Sequence, residues 1–596
     1  MGFHPNFEEQ AGLFKLLGMI LLITTIGGLI LFKGRLMMSS VARVLVGGLF
    51  IVSGLIKAND PIGFSYKLEE YFEDGALAFR IKEWFSAPGF SLEFFMEYAL
   101  LLSVIICIVE IVLGVLLIIG GKIKLAAWMS LFMMLFFTFL TWHTANCDGT
   151  MKFKDRDTYA MTDPVAAMKI EEAKTNKELK IISQTKTELI VDEMKLPQCV
   201  DDCGCFGDAM KGSVGRSLAP SETYWKDIVL VYLILWIFVA QWKTKPNTRK
   251  ENLVFVSTSI VVIAFFSWVF GWYFPIFFSL VALFGALWML RAGGKWFGNH
   301  YGSAFFVKLI SLALAVYVLT YAPLKDYRAY AVGSNLKEKM NDGIDGVYES
   351  MLVYKNKKTK KTKEYSSTSK EYTDSKIWED TDWVYESMVQ KAIIPTKIPS
   401  ITDQFNPFVA FSDVSEYEMS IPAVSSAIAN SKVKALLIKD LGYNSNMEVP
   451  FEEYNVTDFD AESYVILDTI EMDNPNVTDV SIRDFIVDAK KIVVLSSQNL
   501  SKGDWDGIKD IKAINESCKK KGIPFVVICG ATRDEINAFR KKHGLYAPFF
   551  VNDETELKAI TRSNPSILVI EKGIVKAKYP FRLIPNKENF TKKHLN

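Results

Sequence analysis

Eight long apolar runs occupy the first 325 residues, at about 12–32, 39–57, 95–119, 125–142, 225–242, 253–272, 275–290 and 304–322. Each approaches the roughly 20 residues that a helix needs to cross a ~30 Å hydrocarbon core. Between Leu253 and Leu290 the chain is almost continuously apolar, too long for one crossing. Gly271-Trp272-Tyr273-Phe274-Pro275 supplies a turn with interfacial aromatics that divides it. The first run follows Glu8 and Glu9 rather than a basic segment, so it reads as a retained span and not as a cleaved signal. The pattern predicts a polytopic α-helical membrane protein of about eight transmembrane helices, with the lipid bilayer as its first partner.

After residue 325 the pattern changes. Lys, Glu, Asp and Tyr mix with short apolar stretches. Val347 to Tyr354 alternates as a strand does, the lysines from Lys355 to Lys363 read as a solvated hairpin turn, and Trp383-Val384-Tyr385 is a further strand. These predict a β-rich domain over 326–480. From 484 to 582 the rhythm is βαβ. A strand at Lys491–Leu495 is followed by a helix at about Trp505–Lys520, a strand at Pro524–Ile528 and a helix at about Arg533–His543. Then come a strand at Asn564–Ile570, a hairpin at Glu571-Lys572-Gly573 and a last strand. This is an α/β soluble region.

Composition adds orientation. The net charge of +1 argues against a nucleic-acid binder. Lysines and arginines gather in alternate connections: Lys33, Arg35 and Arg43; Lys122 and Lys124; Lys243, Lys245, Arg249 and Lys250; Arg291 and Lys295. Basic connections mark the cytoplasmic side. The N-terminus, the 58–94 connection, the 143–224 loop and everything after 325 then lie outside the cytoplasm, so both termini are periplasmic if the membrane is a bacterial inner membrane. The 58–94 connection is amphipathic and is expected to lie along the outer interface, with Lys57 snorkelling at the end of its span.

The candidate chemistry is sulfur. Four of the seven cysteines, Cys147, Cys199, Cys203 and Cys205, fall in the 143–224 loop, where oxidation is permitted outside the cytoplasm. Gly204 gives Cys203 and Cys205 the sharp turn that a bond between them needs. Cys199 either resolves that bond or pairs with Cys147; four cysteines allow three pairings. Asp201, Asp202 and Asp208 oppose thiolate formation unless a cation approaches, and Lys211 and Arg216 are candidates. Stable disulfides that pin the loop, redox exchange, and a metal site using Cys199, Cys203, Cys205 and His143 are the three readings. The last lacks the paired two-residue spacers of metal sites, and no metal is expected. Within the spans, Cys107 reads as a packing residue. Glu110 is a carboxylate near mid-span that pairs with Arg43 or Lys57 or relays a proton. No quinone site is legible.

Two resemblances follow from longer motifs. Arg43, Gly47-Gly48, Phe50 to Lys57, Asp60-Pro61 and Gly63-Phe64, and then Asp202-Cys203-Gly204-Cys205-Phe206-Gly207-Asp208-Ala209 followed by Trp225-Lys226-Asp227-Ile228, resemble the DoxX/MauE-type membrane proteins over roughly residues 39–242. The resemblance implies a four-helix unit in a bacterial inner-membrane protein linked to thiol or sulfur redox chemistry, with quinone as electron acceptor. Against that pattern the chain inserts Asp148 to Pro197, one helix before the unit and three after it. The 481–596 region resembles a thioredoxin-like fold, with Pro565 where that family keeps a cis-proline. The stretch Ser496-Ser497-Gln498-Asn499-Leu500-Ser501-Lys502 stands where that family carries Cys-x-x-Cys, and Cys518 and Cys529 read as structural. The expected organisation is a helix in 1–38, the unit in 39–242, three helices in 243–325, the β-rich domain in 326–480 and the thioredoxin-like domain in 481–596. The expected activity is thiol–disulfide chemistry at the membrane. The competing expectation is a non-catalytic scaffold whose soluble part binds periplasmic proteins.

Overall fold

The computed structural model describes residues 34–596 except 148, 150, 177, 201–203, 205, 207–208, 211–212, 214–217, 292–298, 395, 403–405, 444, 452–453, 456–457, 460–462 and 475–476. The chain divides into two compact units, residues 1–328 and 329–596.

In the first unit seven described helices are long and apolar enough to cross a membrane: α1 (Gly34–Asn59), α2 (Ala99–Ile119), α3 (Ile123–Ala145), α4 (Pro220–Ala240), α5 (Arg249–Val269), α6 (Phe274–Arg291) and α7 (His300–Thr320). The span expected at 12–32 lies outside the described residues. Helices α1 and α2 approach closely, and glycine makes it possible. A Cβ on Gly47 would stand 2.9 Å from the Gly114 carbonyl oxygen, and one on Gly114 would stand 2.7 Å from the Gly47 carbonyl oxygen. Small residues of this kind let helix backbones meet where lipid removes the hydrophobic drive to associate.

The 58–94 connection, expected along the outer interface, packs in part on the helical bundle. It forms a helix at Pro61–Phe72, capped by the Asp60 carboxylate accepting from the Gly63 N–H at 3.0 Å, and a second at Leu77–Trp84. Phe64, Leu68, Tyr71 and Leu77 join the core of the helical bundle, because the amphipathic face finds apolar side chains to cover. The Asp148–Pro197 insertion builds an antiparallel sheet in the order β1 (Phe153–Ala160), β3 (Glu188–Lys195), β2 (Leu179–Gln184). A helix at Pro164–Glu172 covers it, with Ala166, Leu179, Leu189 and Val191 between them.

Among the described residues the second unit contains three sheets. Two are three-stranded and antiparallel: β4 (Val347–Asn356) lies between β5 (Thr362–Ser366) and β6 (Trp383–Ile394), and β8 (Lys432–Asp440) lies between β9 (Ser445–Pro450) and β10 (Tyr464–Asp473). The third has seven strands in the order β11 (Asp479–Ser481), β7 (Phe408–Ala410), β14 (Phe549–Val551), β13 (Phe525–Cys529), β12 (Ile492–Ser497), β15 (Ser566–Glu571), β16 (Ile574–Pro580). β12, β13 and β14 are parallel, and the other pairings are antiparallel. Strands from both sides of residue 480 therefore share this sheet. β12 and β13 are buried on both faces, as a central parallel pair requires. Val493, Leu495, Val527 and Phe549 face one core with α8 (Ile508–Lys520) and α9 (Arg533–His543). Ile492, Val494, Ile528 and Phe550 face the other. α8 starts three residues later than the Trp505 expected from sequence, because the Trp505 indole donates to the Leu500 carbonyl at 2.9 Å and holds a turn before it. The Asn564–Pro565 peptide bond is cis.

Candidate functional site

Three polar residues meet inside the helical bundle. The Lys57 ammonium lies 2.6 Å from Glu110 Oε1 and donates to Ser53 Oγ at 2.9 Å, while the Ser53 hydroxyl donates to Glu110 Oε2 at 3.4 Å. Ser53 and Lys57 are one turn apart on α1 and so share a face; Glu110 faces them from α2. The rings of Phe137 and Phe64 flank the ammonium at 4.8 and 5.5 Å. Both charged side chains are only 3% exposed. Gly54 opens the space, since a Cβ there would come within 3.1 Å of Glu110 Cβ. Of the two partners expected for Glu110, the structure selects Lys57. That lysine does not snorkel, because a carboxylate inside the bundle satisfies it.

Arg43 acts elsewhere. Its Nε donates to the Leu117 carbonyl at 2.8 Å, and its Nη2 donates to the Asn247 amide oxygen at 2.7 Å; Asn247 in turn donates to the Ile118 carbonyl at 3.0 Å. A cation and an amide thus close the orphan carbonyls at the C-terminal end of α2. Gly120, at φ +70°, follows them, and a Cβ on it would strike Asn247 Oδ1 at 2.5 Å. Asn247 gave no signal in the sequence, being one polar residue in a polar connection.

The opposite end of the bundle carries the sulfur. Cys147 and Cys199 are joined in a disulfide across a sequence separation of 52. Next to it the Gln198 N–H donates to the Gly75 carbonyl at 2.7 Å, and Arg80 donates to the Asn146 carbonyl while its guanidinium lies 4.7 Å over the Phe79 ring. Lys82 pairs with Asp155 of the insertion, which also accepts from Lys195 at 2.7 Å. Burial pushes the Asp155 carboxyl up, but the hydrogen bonds and charges of Lys195 and Lys82 outweigh it and hold the group below the usual carboxylate range.

Cys203 and Cys205 lie outside the described residues, as do Asp201, Asp202, Asp208, Lys211 and Arg216. Gly204, between the two cysteines, is described. It sits at φ +65°, and a Cβ there would meet Lys67 Cγ at 3.0 Å and Phe64 Cδ2 at 3.8 Å. The Phe206 ring packs on Phe270 at 5.2 Å and takes the Lys226 ammonium 4.9 Å from its centre. Lys226 also pairs with Asp227 at 3.1 Å, and Asp227 accepts from the Thr141 hydroxyl at 3.0 Å. The described neighbours of the Cys-Gly-Cys stretch therefore include two lysines, Lys67 and Lys226. Lys226 stands in a motif legible in the sequence. Lys67 was hidden among the alternating charges of an amphipathic stretch.

The remaining candidates are placed as follows. His143, in the last turn of α3, is fully buried beside Phe79 at 5.5 Å and Tyr71 at 6.5 Å. Among the described residues no group of three or more His, Cys, Asp or Glu side chains is placed to hold a metal ion. Cys107 is buried on α2. In the second unit burial pushes the Cys518 and Cys529 thiols up to about 12. The Ser496–Lys502 stretch carries amides and hydroxyls: Ser497 Oγ donates to Asn564 Oδ1 at 2.7 Å, the Asn564 amide donates to the Asn499 carbonyl at 2.8 Å, and the Gln498 amide donates to the Thr561 carbonyl at 2.6 Å.

Seven apolar helices with a buried charge pair, a disulfide-closed insertion and a mixed α/β unit define a polytopic helical membrane protein with a folded C-terminal part. Residues 35–146 match the family model described as methylamine utilisation protein MauE, so this stretch is a MauE-like membrane region. The match runs from α1 to the end of α3 and takes in Arg43, Lys57, Glu110 and His143, but stops short of Cys147 and Cys199. No curated protein matches the chain.

Proposed function

We propose that the chain is an accessory protein of a bacterial inner membrane that handles thiol–disulfide chemistry of periplasmic proteins. Two substrate thiols become one disulfide through Cys203 and Cys205, and the two electrons and two protons released reduce a quinone to its quinol. The observation that carries this reading is the surround of Gly204, where the stem of Lys67, whose ammonium pairs with Glu70 at 2.7 Å, and Lys226 beside Phe206, which pairs with Asp227, set two ion-paired cations near a dithiol stretch otherwise bordered by aspartates. Nearby cations favour thiolates, the nucleophilic form. For the acceptor, Lys57 offers a donor walled by the Phe64 and Phe137 rings; Glu110 and Ser53 hold that ammonium, so a quinone there would share it.

The C-terminal unit serves in this reading as a redox-inert, thioredoxin-like docking module. Support comes from the strand order β13-β12-β15-β16, with the first pair parallel and the other two antiparallel, and from Pro565 directly before β15. Its amide network at Ser497, Gln498 and Asn564 holds no thiol. That network and the Cys147–Cys199 staple favour a second reading, a non-catalytic assembly scaffold.

Thiol trapping in whole cells separates the two. In the redox reading Cys203 and Cys205 form a mixed, reducible population, and Cys203→Ser abolishes thiol oxidation in a protein of unchanged melting temperature. Complete oxidation inert to cellular reductant, or instability of the variant with no change in thiol oxidation, establishes the scaffold instead.

A further inference from the structure

A cation stands on the outward face of the helical bundle at membrane depth. Lys308 follows His300, the first residue of α7, by eight positions, about 12 Å along the axis. The helix has 21 residues, enough for a ~30 Å hydrocarbon core, so Lys308 falls within that core. It is exposed, and among the described residues it has no ion pair and no hydrogen bond. Tyr301, Phe305, Lys308 and Leu312 recur at intervals of four, three and four residues, which is one face of a helix, and all four are exposed. A charge left in hydrocarbon is costly, so intramembrane lysines pair or reach for an interface.

The chain supplies no counter-charge. Among the described residues α1 to α7 contain four carboxylates, Glu110, Glu222, Asp227 and Glu251. Glu110 is held by Lys57 and Asp227 by Lys226, while Glu222 and Glu251 accept from backbone N–H groups at the starts of their own helices. The 12–32 run contains no acidic residue. A second copy of the chain brings the same set and so does not neutralise Lys308 either.

The side chain nevertheless has a direction. Cα–Cβ bonds on a helix tilt toward its N-terminus, so Lys308 aims at the His300 end of α7, where Tyr301 stands two turns away on the same face. The Lys122 ammonium lies 4.5 Å from the centre of that Tyr301 ring. Lys124, Lys243, Lys245, Arg249 and Lys250 gather at the same end of the bundle, and Glu251 is the one acid in 120–124 and 241–252. Basic residues between and beside spans at one membrane surface attract anionic headgroups.

We propose that the His300 end of α7 binds a phospholipid of net negative charge, its phosphate between Lys308 and Lys122 with the Tyr301 hydroxyl as a donor, and an acyl chain along Phe305 and Leu312. A lipid meets both demands of this face, since its phosphate takes the lysine drawn up from the core and its chain covers the apolar stripe. Free phosphate meets only the first, and must enter hydrocarbon to approach Lys308.

Thermal unfolding of the full-length chain in detergent micelles tests this, with added phosphatidylglycerol or phosphatidylethanolamine of the same acyl chains. Phosphatidylglycerol raises the wild-type melting temperature saturably, while phosphatidylethanolamine and inorganic phosphate at equal concentration do not. Lys308→Leu and Lys122→Gln each need roughly fivefold more phosphatidylglycerol for the same response, and Lys308→Arg responds as the wild type does. Lys308→Leu places an apolar side chain on an apolar face, so its lipid-free melting temperature is at least that of the wild type; Lys122→Gln carries the test should it fall. No response to phosphatidylglycerol, an equal response to both lipids, a response to free phosphate, a Lys308→Leu variant that responds as the wild type, or a Lys308→Arg variant as weak as Lys308→Leu overturns the proposal. So does a membrane protein that co-purifies with the wild type and is lost from Lys308→Leu while the lipid response stays unchanged.

Discussion

Removing one member of the Lys57–Glu110 pair strands a charge among apolar side chains. Lys57→Met is expected to destabilise the bundle by about 3–5 kcal/mol, and the double variant Lys57→Met/Glu110→Leu to recover most of that loss, because the cost belongs to the unpaired ion. Thermal unfolding of the variants in detergent checks it; a double variant as unstable as the single one refutes the pairing as the cause. Asp155 makes a prediction in pH. Its folded pKa lies below the unfolded value, so its contribution is complete above about pH 4 and is lost as pH falls through the lower folded value. Hydrogen exchange over β1 and β3 should rise below that point, and Asp155→Asn should flatten the rise. Single residues were also where the sequence spoke least clearly. It offered Arg43 and Lys57 equally to Glu110, since both lie on one apolar helix. Only the approach of α1 to α2 fixes which of the two cations is level with the carboxylate.

At the scale of elements, the α1–α2 contact depends on the missing side chains of Gly47 and Gly114. Gly114→Val places carbon within 3 Å of a backbone carbonyl and should cost at least the ~1–3 kcal/mol of an overpacked core, read as a lower midpoint of unfolding in detergent. An unchanged midpoint would show that the two helices separate without loss. The disulfide acts on another element. Cys147→Ser should weaken the inserted sheet by roughly 2–4 kcal/mol, read by limited proteolysis between residues 153 and 195. The helices α1 to α7 were legible because each is an apolar run long enough to span a bilayer, bounded by polar connections or, between α5 and α6, by the aromatic turn at Gly271–Pro275. β7 and β11 were not, having three residues each, too few for alternation to register. The inserted sheet was likewise read only as a length of extra chain, because its core is four small and branched residues spread over two strands and a helix.

Across the whole molecule the hydrophobic cores divide where the compact units do. The apolar residues packed into the bundle core end with Tyr327, and those packed into the cores of the second unit begin at Ala329. A fragment of residues 329–596 should therefore unfold as a cooperative unit without the helices, a result that circular dichroism on heating reads directly; a fragment with no transition would show that its cores need the rest of the chain. The break itself was legible, since long apolar runs cease at 325. The composition of the sheet was not, because a strand at Phe408–Ala410 and another at Ile492–Ser497 meet only through long-range pairing.

The bond between Cys147 and Cys199 brings the two ends of the inserted segment to a Cα separation of 5.6 Å. Seen from α3 and α4, everything between those sulfurs is a cartridge clipped into one socket. It can lengthen, shrink or be exchanged without asking the flanking helices to move, which makes this the position where new recognition surfaces are most easily grafted onto an unchanged membrane body.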